Sequence, residues 1–177
     1  MADVTAIILT KNEEANLAAC IESVRGFAAL VAVVDSGSTD GTVALATSLG
    51  ADVYSHEFTY YAAQFNWGIA HADVTTKWIL RLDADERFTP AVCAHCERLM
   101  AAHADDDVNG IVIESDFYFL GKLIKHGGSK KRKIMLFKRG FGSIEDRKRD
   151  AHTVLSAGRT VAISERFLHY DFKDLTS

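Results

Sequence analysis

Asp83 and Asp85 stand two residues apart, directly after the apolar run Trp78-Ile79-Leu80-Arg81-Leu82. In extended chain, residues i and i+2 face the same way. Two carboxylates on one side, beside water and a ligand phosphate, suit Mg2+ or Mn2+, which take oxygen ligands and often bind through one or two carboxylates plus phosphate. Such a metal would neutralise charge on a departing phosphate group. An isolated Asp-x-Asp is as readily a solvated acidic turn, but two further polar clusters also end apolar runs. Thr10-Lys11-Asn12-Glu13-Glu14 follows Val4-Thr5-Ala6-Ile7-Ile8-Leu9, and Asp35-Ser36-Gly37-Ser38-Thr39-Asp40-Gly41 follows the run over residues 30–34. In the second cluster Asp35 is placed to accept hydrogen bonds from a base or ribose. Asp40 reads as an N-cap.

The elements that must position these clusters can be read from periodicity. Continuous apolar runs at 4–9, 30–34 and 78–82 predict strands buried on both faces, and 52–54 predicts a short strand. Between them the patterns predict helices over 15–25, from 41 to Gly50, and over 58–70. Thr89-Pro90 predicts an N-cap with proline at N1, opening a helix to about residue 103. A long strand is expected over 110–119, and shorter, more basic segments at 134–137, 153–155 and 167–170. Alternating strands and helices predict an α/β domain, Rossmann-like, with a mostly parallel sheet flanked by helices. Ligands of such sheets sit beyond the carboxyl ends of the strands. That places Thr10 to Glu14, Asp35 to Asp40 and Asp83 to Glu86 around one cleft.

The 177 residues suffice for one domain with a sizeable core, and a hydrophobic share of 48% favours folding over disorder. No apolar stretch approaches the ~20 residues of a membrane span, and there is no signal-peptide pattern, so a cytoplasmic protein is expected. Three cysteines do not suggest a disulfide framework. Cys93-Ala94-His95-Cys96 has no second ligand pair, so it reads as buried thiols on a helix rather than zinc. Residues 1–121 carry 6 Lys/Arg and 18 Asp/Glu, net −12, whereas residues 122–177 carry 14 and 6, net +8. The acidic part could hold a metal and the basic part an anionic partner. Ser129-Lys130-Lys131-Arg132-Lys133 reads either as a solvated loop or as a contact for acceptor phosphates or anionic lipid, worth ~1 kcal/mol per basic residue at such a surface. No aromatic residues interleave with these charges, so nucleic acid is not expected. His126, beside Gly127-Gly128, reads as a functional or a turn histidine, and His169 as a core or metal-adjacent residue.

The ordered set of segments resembles family 2 glycosyltransferases, in the branch that extends lipopolysaccharide core and other envelope glycans. It comprises Ile8 to Glu14, Val33-Val34-Asp35-Ser36-Gly37-Ser38-Thr39-Asp40-Gly41-Thr42, Gln64-Phe65-Asn66-Trp67 and Leu82-Asp83-Ala84-Asp85-Glu86. The resemblance continues through Gly121-Lys122-Leu123-Ile124-Lys125-His126-Gly127-Gly128, Leu136-Phe137-Lys138-Arg139-Gly140, Glu145-Asp146-Arg147 and Leu168-His169-Tyr170, over nearly the whole chain. It implies a GT-A fold with a nucleotide-sugar-binding part (1–121) and a smaller basic acceptor-side part (122–177). It also implies hexosyl transfer with inversion from a nucleoside diphosphate sugar, UDP being expected, to a hydroxyl of an envelope glycan or glycolipid precursor. Peripheral contact with the inner membrane surface goes with that acceptor.

By this resemblance Thr10, Asn12, Glu14 and Asp35 line the nucleotide pocket, and Gln64 and Asn66 contact the diphosphate or ribose side. Asp83 lies near ribose and metal, and Asp85 is the direct ligand of Mg2+ or Mn2+. His126, Lys130 and Arg132 fall on the acceptor side. Inversion needs a general base for the acceptor hydroxyl. The family's Asp-Glu-His-like segment reads Asp150-Ala151-His152 here, which leaves Asp150 as the expected base. Phe65 stands where the family has a basic residue, and relatives carry a further C-terminal segment. Two other readings use the same residues: a catalytically silent nucleotide-sugar-binding module, motivated by Ala151, and a sugar nucleotidyltransferase. The latter would favour a Gly-rich basic loop after the first strand, which Thr10 to Glu14 is not. A receiver-type signalling domain, which also uses strand-end aspartates, would need an acidic pair after the first strand and a lysine after its last strand, and the resemblance over the basic half argues against it.

Overall fold

The apolar runs of the first half become four parallel strands wrapped by helices. The computed structural model describes residues 1–119, 121–124, 132–149 and 151–171. In chain order these are β1 (Ala2–Thr10), α1 (Glu14–Val24), β2 (Ala28–Asp35), α2 (Thr42–Ser48), β3 (Asp52–Ser55), α3 (Tyr61–His71) and β4 (Trp78–Asp83). They assemble in the order β3-β2-β1-β4, every pairing parallel. β1 shows why its sequence does not alternate. Ala6 and Ile8 face a core shared with α1 and α2, and Ile7 faces a second core under α3, so both faces are dry. α3 lies close on the sheet at Gly68, where a Cβ would come within 2.9 Å of Val34 Cγ2.

The second half adds β5 (Glu86–Arg87), α4 (Pro90–Ala102), β6 (Val108–Phe119), β7 (Lys122–Leu123), β8 (Arg132–Lys138), β9 (Gly142–Ile144), β10 (Thr153–Leu155) and β11 (Arg159–Asp171). β8 inserts between β4 and β6, antiparallel to both. β11 then pairs parallel with β6, and β5 antiparallel with β11. Strands of the basic part are thus built into the sheet begun by the acidic part. β9 and β10 form a separate two-stranded ribbon. Thr89 caps α4 as expected, its side-chain oxygen accepting from Val92 N at 3.2 Å with Pro90 in the first turn. Among the described residues no helix is long and apolar enough to cross a membrane.

Three expectations about local structure need correction. β4 stops at Asp83, and Ala84-Asp85 form a turn into β5, so the extended-strand argument for the carboxylate pair does not apply. The N-cap position of α2 is Gly41 rather than Asp40. The Asp40 carboxylate sits one residue earlier and accepts from Thr42 N at 3.0 Å and Glu14 N at 3.3 Å, tying the loop to the start of α1. β11 begins eight residues before the 167–170 segment, because pairing along β6 extends a strand whose own pattern is weak.

Candidate functional site

The turn after β2 is organised around Asp35. Its carboxylate is 2% exposed and accepts from Thr10 Oγ1 (2.8 Å), Gly37 N (2.9 Å), Ser38 N (2.8 Å) and Ser38 Oγ. Burial pushes the carboxyl up, but these donors outweigh it and hold Asp35 below the usual carboxylate range. Asp35 therefore shapes the loop from beneath, and Ser36 is the member of this turn that lines the adjoining cavity. Asn12, at φ 54°, accepts from Thr39 N (2.8 Å), and Glu14 accepts from Gly41 N (2.9 Å), so both brace the same loop. Lys11 Nζ donates to the carbonyls of Ser36 (3.0 Å) and Gly37.

The depressed Asp35 pKa fixes a pH dependence. A lowered folded pKa contributes stability that is fully present above the unfolded value, about 3.9, and is lost as pH falls through the folded one. Thermal unfolding from about pH 7 to about pH 3 should show this loss below about pH 4. Asp35→Asn should remove that part of the profile.

Gln64 and Asn66 diverge. Two residues apart on a helix they point roughly 200° apart. Gln64 faces the cavity side, its amide bonded to Ser36 Oγ (3.0 Å) and His56 Nδ1 (2.7 Å), and so positions Ser36. Asn66 faces the other way and clamps β9, donating to Ile144 O and accepting from Ile144 N, both at 2.8 Å. With both polar ends taken by a buried backbone, Asn66 is reassigned from ligand contact to structural clamp. Asn66→Ala should cost about 2 kcal/mol in urea denaturation, from two buried backbone groups left unpaired, with nucleotide affinity unchanged. Phe65 is fully buried beneath α3, so the family's basic residue has no counterpart facing the cavity at that position.

The third cluster carries the densest charge. Asp83 Oδ1 accepts from Tyr61 Oη (2.7 Å), and its Oδ2 lies 3.7 Å from Lys133 Nζ. Burial pushes Asp83 up, but Lys133, Arg81 and the tyrosine hydroxyl hold it low. Glu86, fully buried, pairs with Lys133 and accepts from Asp83 N (3.1 Å), which pins the Ala84-Asp85 turn. Burial and then the neighbouring Asp83 charge raise the Glu86 pKa, with Lys133 opposing. Asp85 Oδ2 faces His169 Nε2 at 3.2 Å, and its backbone oxygen accepts from Tyr170 N (2.9 Å). Burial pulls the His169 imidazole down, but the bond to Asp85 and its charge carry it above the usual histidine value.

Two cavities meet at this cluster. The smaller, about 280 Å³, is lined by Thr10, Lys11, Ser36, Tyr61 and Gln64 together with Asp83, Asp85 and His169. The larger, about 660 Å³, is lined by Arg81, Arg132, Lys133, His152 and Thr153 and again by Asp83 and His169. Asn12, Glu14, Asp35 and Asn66 support these walls without lining either cavity. Among the described residues no three His, Cys, Asp or Glu side chains form a ready metal cage. A Mg2+ or Mn2+ completed by ligand phosphates and water does not need one. Asp85, with His169 opposite and Asp83 behind, fits that donor set.

Asp150, His126 and Lys130 lie outside the described residues. Arg132 is exposed at the rim of the larger cavity, but Lys133, read with it as part of a solvated or lipid-facing run, points inward with 15% side-chain exposure. Alternation held part of the missing signal, since Lys133 lies two residues before fully buried Met135 and packs on Phe167 of the same core, whereas an irregularity in β8 sends Phe137 to the opposite core. No sequence signal indicated the pairing of His169 with Asp85 or the Tyr61 bond to Asp83. Cys20 and Cys96 are buried thiols; burial pushes Cys96 to about 12 and the half-buried Cys93 to about 11.

A family model described as glycosyl transferase family 2 matches residues 5–167. The chain is 34% identical over 144 residues to the lipopolysaccharide core biosynthesis glycosyltransferase LpsC of Rhizobium meliloti, covering 78% of this chain and 52% of that protein. It is 40% identical over 106 residues to an uncharacterized glycosyltransferase of Rickettsia felis, covering 60% and 37%. The chain thus spans about a third to a half of the length of these relatives. Staphylococcus aureus TarS (residues 1–349) superposes with a TM-score of 0.68 at 14% identity, covering 96% of this chain and 60% of that one. Glucosyl-3-phosphoglycerate synthase from Mycobacterium tuberculosis, solved with Mn2+, UDP-glucose and phosphoglyceric acid, superposes with a TM-score of 0.50 at 19% identity, covering 67% and 44%. At these identities the two superpositions establish a shared fold.

Proposed function

The chain belongs to glycosyl transferase family 2, and from that premise we propose that it transfers a hexose, with inversion, from a UDP-sugar to a hydroxyl of an envelope glycan or lipopolysaccharide-core precursor. One observation carries the reading: two cavities of different character share Asp83 and His169 as their common wall. The donor occupies the smaller cavity, under the loops that Asp35 and Gln64 hold, and the acceptor the larger, basic one. The LpsC relative supports the acceptor class, and the synthase solved with UDP-glucose and Mn2+ supports donor and metal.

In the reaction the acceptor oxygen bonds to the anomeric carbon as the bond from that carbon to the diphosphate oxygen breaks. The diphosphate leaves with the electron pair, and the hydroxyl proton passes to a base. We assign the base to Asp150, because its sequence neighbours Ala151 and His152 both line the acceptor cavity. Asp85 and His169, with Asp83 behind them, would hold Mg2+ or Mn2+, which when bound offsets the charge of the leaving diphosphate. Tyr61 and Lys133 orient Asp83, and Glu86 holds the turn that presents Asp85. His126, Lys130 and Arg132 belong to the acceptor side, where basic residues also suit peripheral contact with the anionic inner membrane surface.

The test is calorimetric titration of UDP and UDP-glucose with Mn2+ and with chelator. Saturable binding that requires the metal supports the assignment. A protein that binds neither nucleotide with Mn2+ or Mg2+ present is not a donor-dependent transferase of this kind.

A further inference from the structure

We propose that the larger cavity is an anion site and that the acceptor carries a phosphate or carboxylate that is bound by Arg81. This rests on the donor and acceptor assignment above and deepens it. Arg81 is 6% exposed, at mid-height in β4, and its side chain reaches the cavity wall. Its guanidinium donates to Tyr61 Oη (2.9 Å, from Nε) and Thr153 Oγ1 (3.2 Å, from Nη1) and lies 4.8 Å from the centre of the Tyr61 ring. All of these partners are neutral. Among the described residues no carboxylate lies within ion-pair distance of it; Asp83, through the shared Tyr61 hydroxyl, and Glu86 act on it from further off, and Glu86 is itself paired with Lys133.

An arginine cannot shed its proton in a protein, so burial leaves a full positive charge that the more distant Asp83 and Glu86 offset without direct contact, and an anion bound at the guanidinium would offset it directly. Two planar donors fixed by Tyr61 and Thr153 leave Nη2 for a ligand, and the guanidinium fork matches phosphate and carboxylate oxygens. The rest of the lining points the same way. Lys133 is taken by Glu86 and Asp83, and His169 by Asp85, which leaves Arg132 and His152 beside Arg81 on a lining whose single described carboxylate is Asp83.

The donor's own diphosphate is the other source of such an anion. Arg81 lines the larger cavity and not the smaller one, where Asp85, Lys11 and Ser36 lie, so the diphosphate is poorly placed to reach it. An acceptor bearing its own negative charge would be drawn into the larger cavity and oriented there before transfer.

Inorganic phosphate is the probe, followed by calorimetry on the whole chain with saturating UDP and Mg2+. Phosphate should bind in the presence of the nucleotide, and Arg81→Met should weaken it roughly tenfold, the equivalent of one charge-assisted contact, with UDP held at saturation for each protein. Arg81→Lys should recover part of the loss. If Arg81→Met does not fold, Arg132→Ala at the exposed rim supplies the reading, with a smaller but measurable weakening. Displacement of phosphate by UDP would assign the site to the donor diphosphate and overturn the proposal. So would the absence of saturable phosphate binding, or equal affinity in wild type and the folded variants. Loss of nucleotide binding counts against the transfer reading and loss of phosphate binding against this one, so the two fail separately.

Discussion

Asp85→Ala should lower kcat/KM by about three orders of magnitude and abolish metal-dependent nucleotide binding, while the unliganded protein keeps its fold. Charge stabilisation by a metal at a departing diphosphate is worth several kcal/mol, and about 1.4 kcal/mol corresponds to a tenfold rate. Of the two carboxylates, Asp83 is occupied by Tyr61 and faced by Lys133, whereas Asp85 sits in a turn with His169 as its side-chain partner. The turn does not depend on the Asp85 side chain. Glu86 accepts from Asp83 N, and Tyr170 N donates to the Asp85 backbone oxygen. The variant should therefore unfold at the wild-type temperature in the absence of ligand, and added Mn2+ with UDP should raise the wild-type midpoint alone. Wild-type metal-dependent UDP affinity in Asp85→Ala would remove this residue from the metal site.

Lys133→Met should be the most destabilising single change around the site, costing about 3 to 5 kcal/mol, because it strands a buried carboxylate. Glu86 is fully buried, and Lys133 is its cationic partner. Without Lys133 the burial and Asp83 repulsion that already raise the Glu86 pKa lose their main opponent, leaving the bond from Asp83 N against them. The sign follows from proton linkage. A carboxyl whose folded pKa lies above its unfolded value, about 4.3, holds its proton in the native state over a range where the unfolded chain has released it, so stability falls as pH rises through that range. Urea denaturation should show a larger deficit at about pH 8 than at about pH 5. The double variant Lys133→Met/Glu86→Gln should recover most of it. Equal stability of wild type and Lys133→Met at the higher pH would show that the pair does not hold the turn.

Much of the parallel half was legible because local rules decide it. A run such as residues 4–9 can be buried on both faces only inside a covered parallel sheet, and Thr89-Pro90 carries its own cap. Where several local solutions compete, local rules choose less well. Asp40 and Gly41 both suit a helix start, and the β4 pattern gives no sign that the chain turns at Ala84.

By its sequence alone the protein was determined to be an α/β domain with three polar clusters at strand ends, and their order carried the family resemblance. Those features follow from neighbouring residues along the chain. Tertiary structure alone decided which side chains line the two cavities. Asp35 was turned inward under four donors, so Ser36 lines the cavity in its place. Helix rotation sent Asn66 to Ile144 and Gln64 to Ser36. Lys133 was carried from a basic run into the interior opposite Glu86, and His169 was brought to Asp85 from 84 positions away. Each of these depends on pairing between distant strands, where a side chain's partner is set by sheet register and burial that local sequence does not encode.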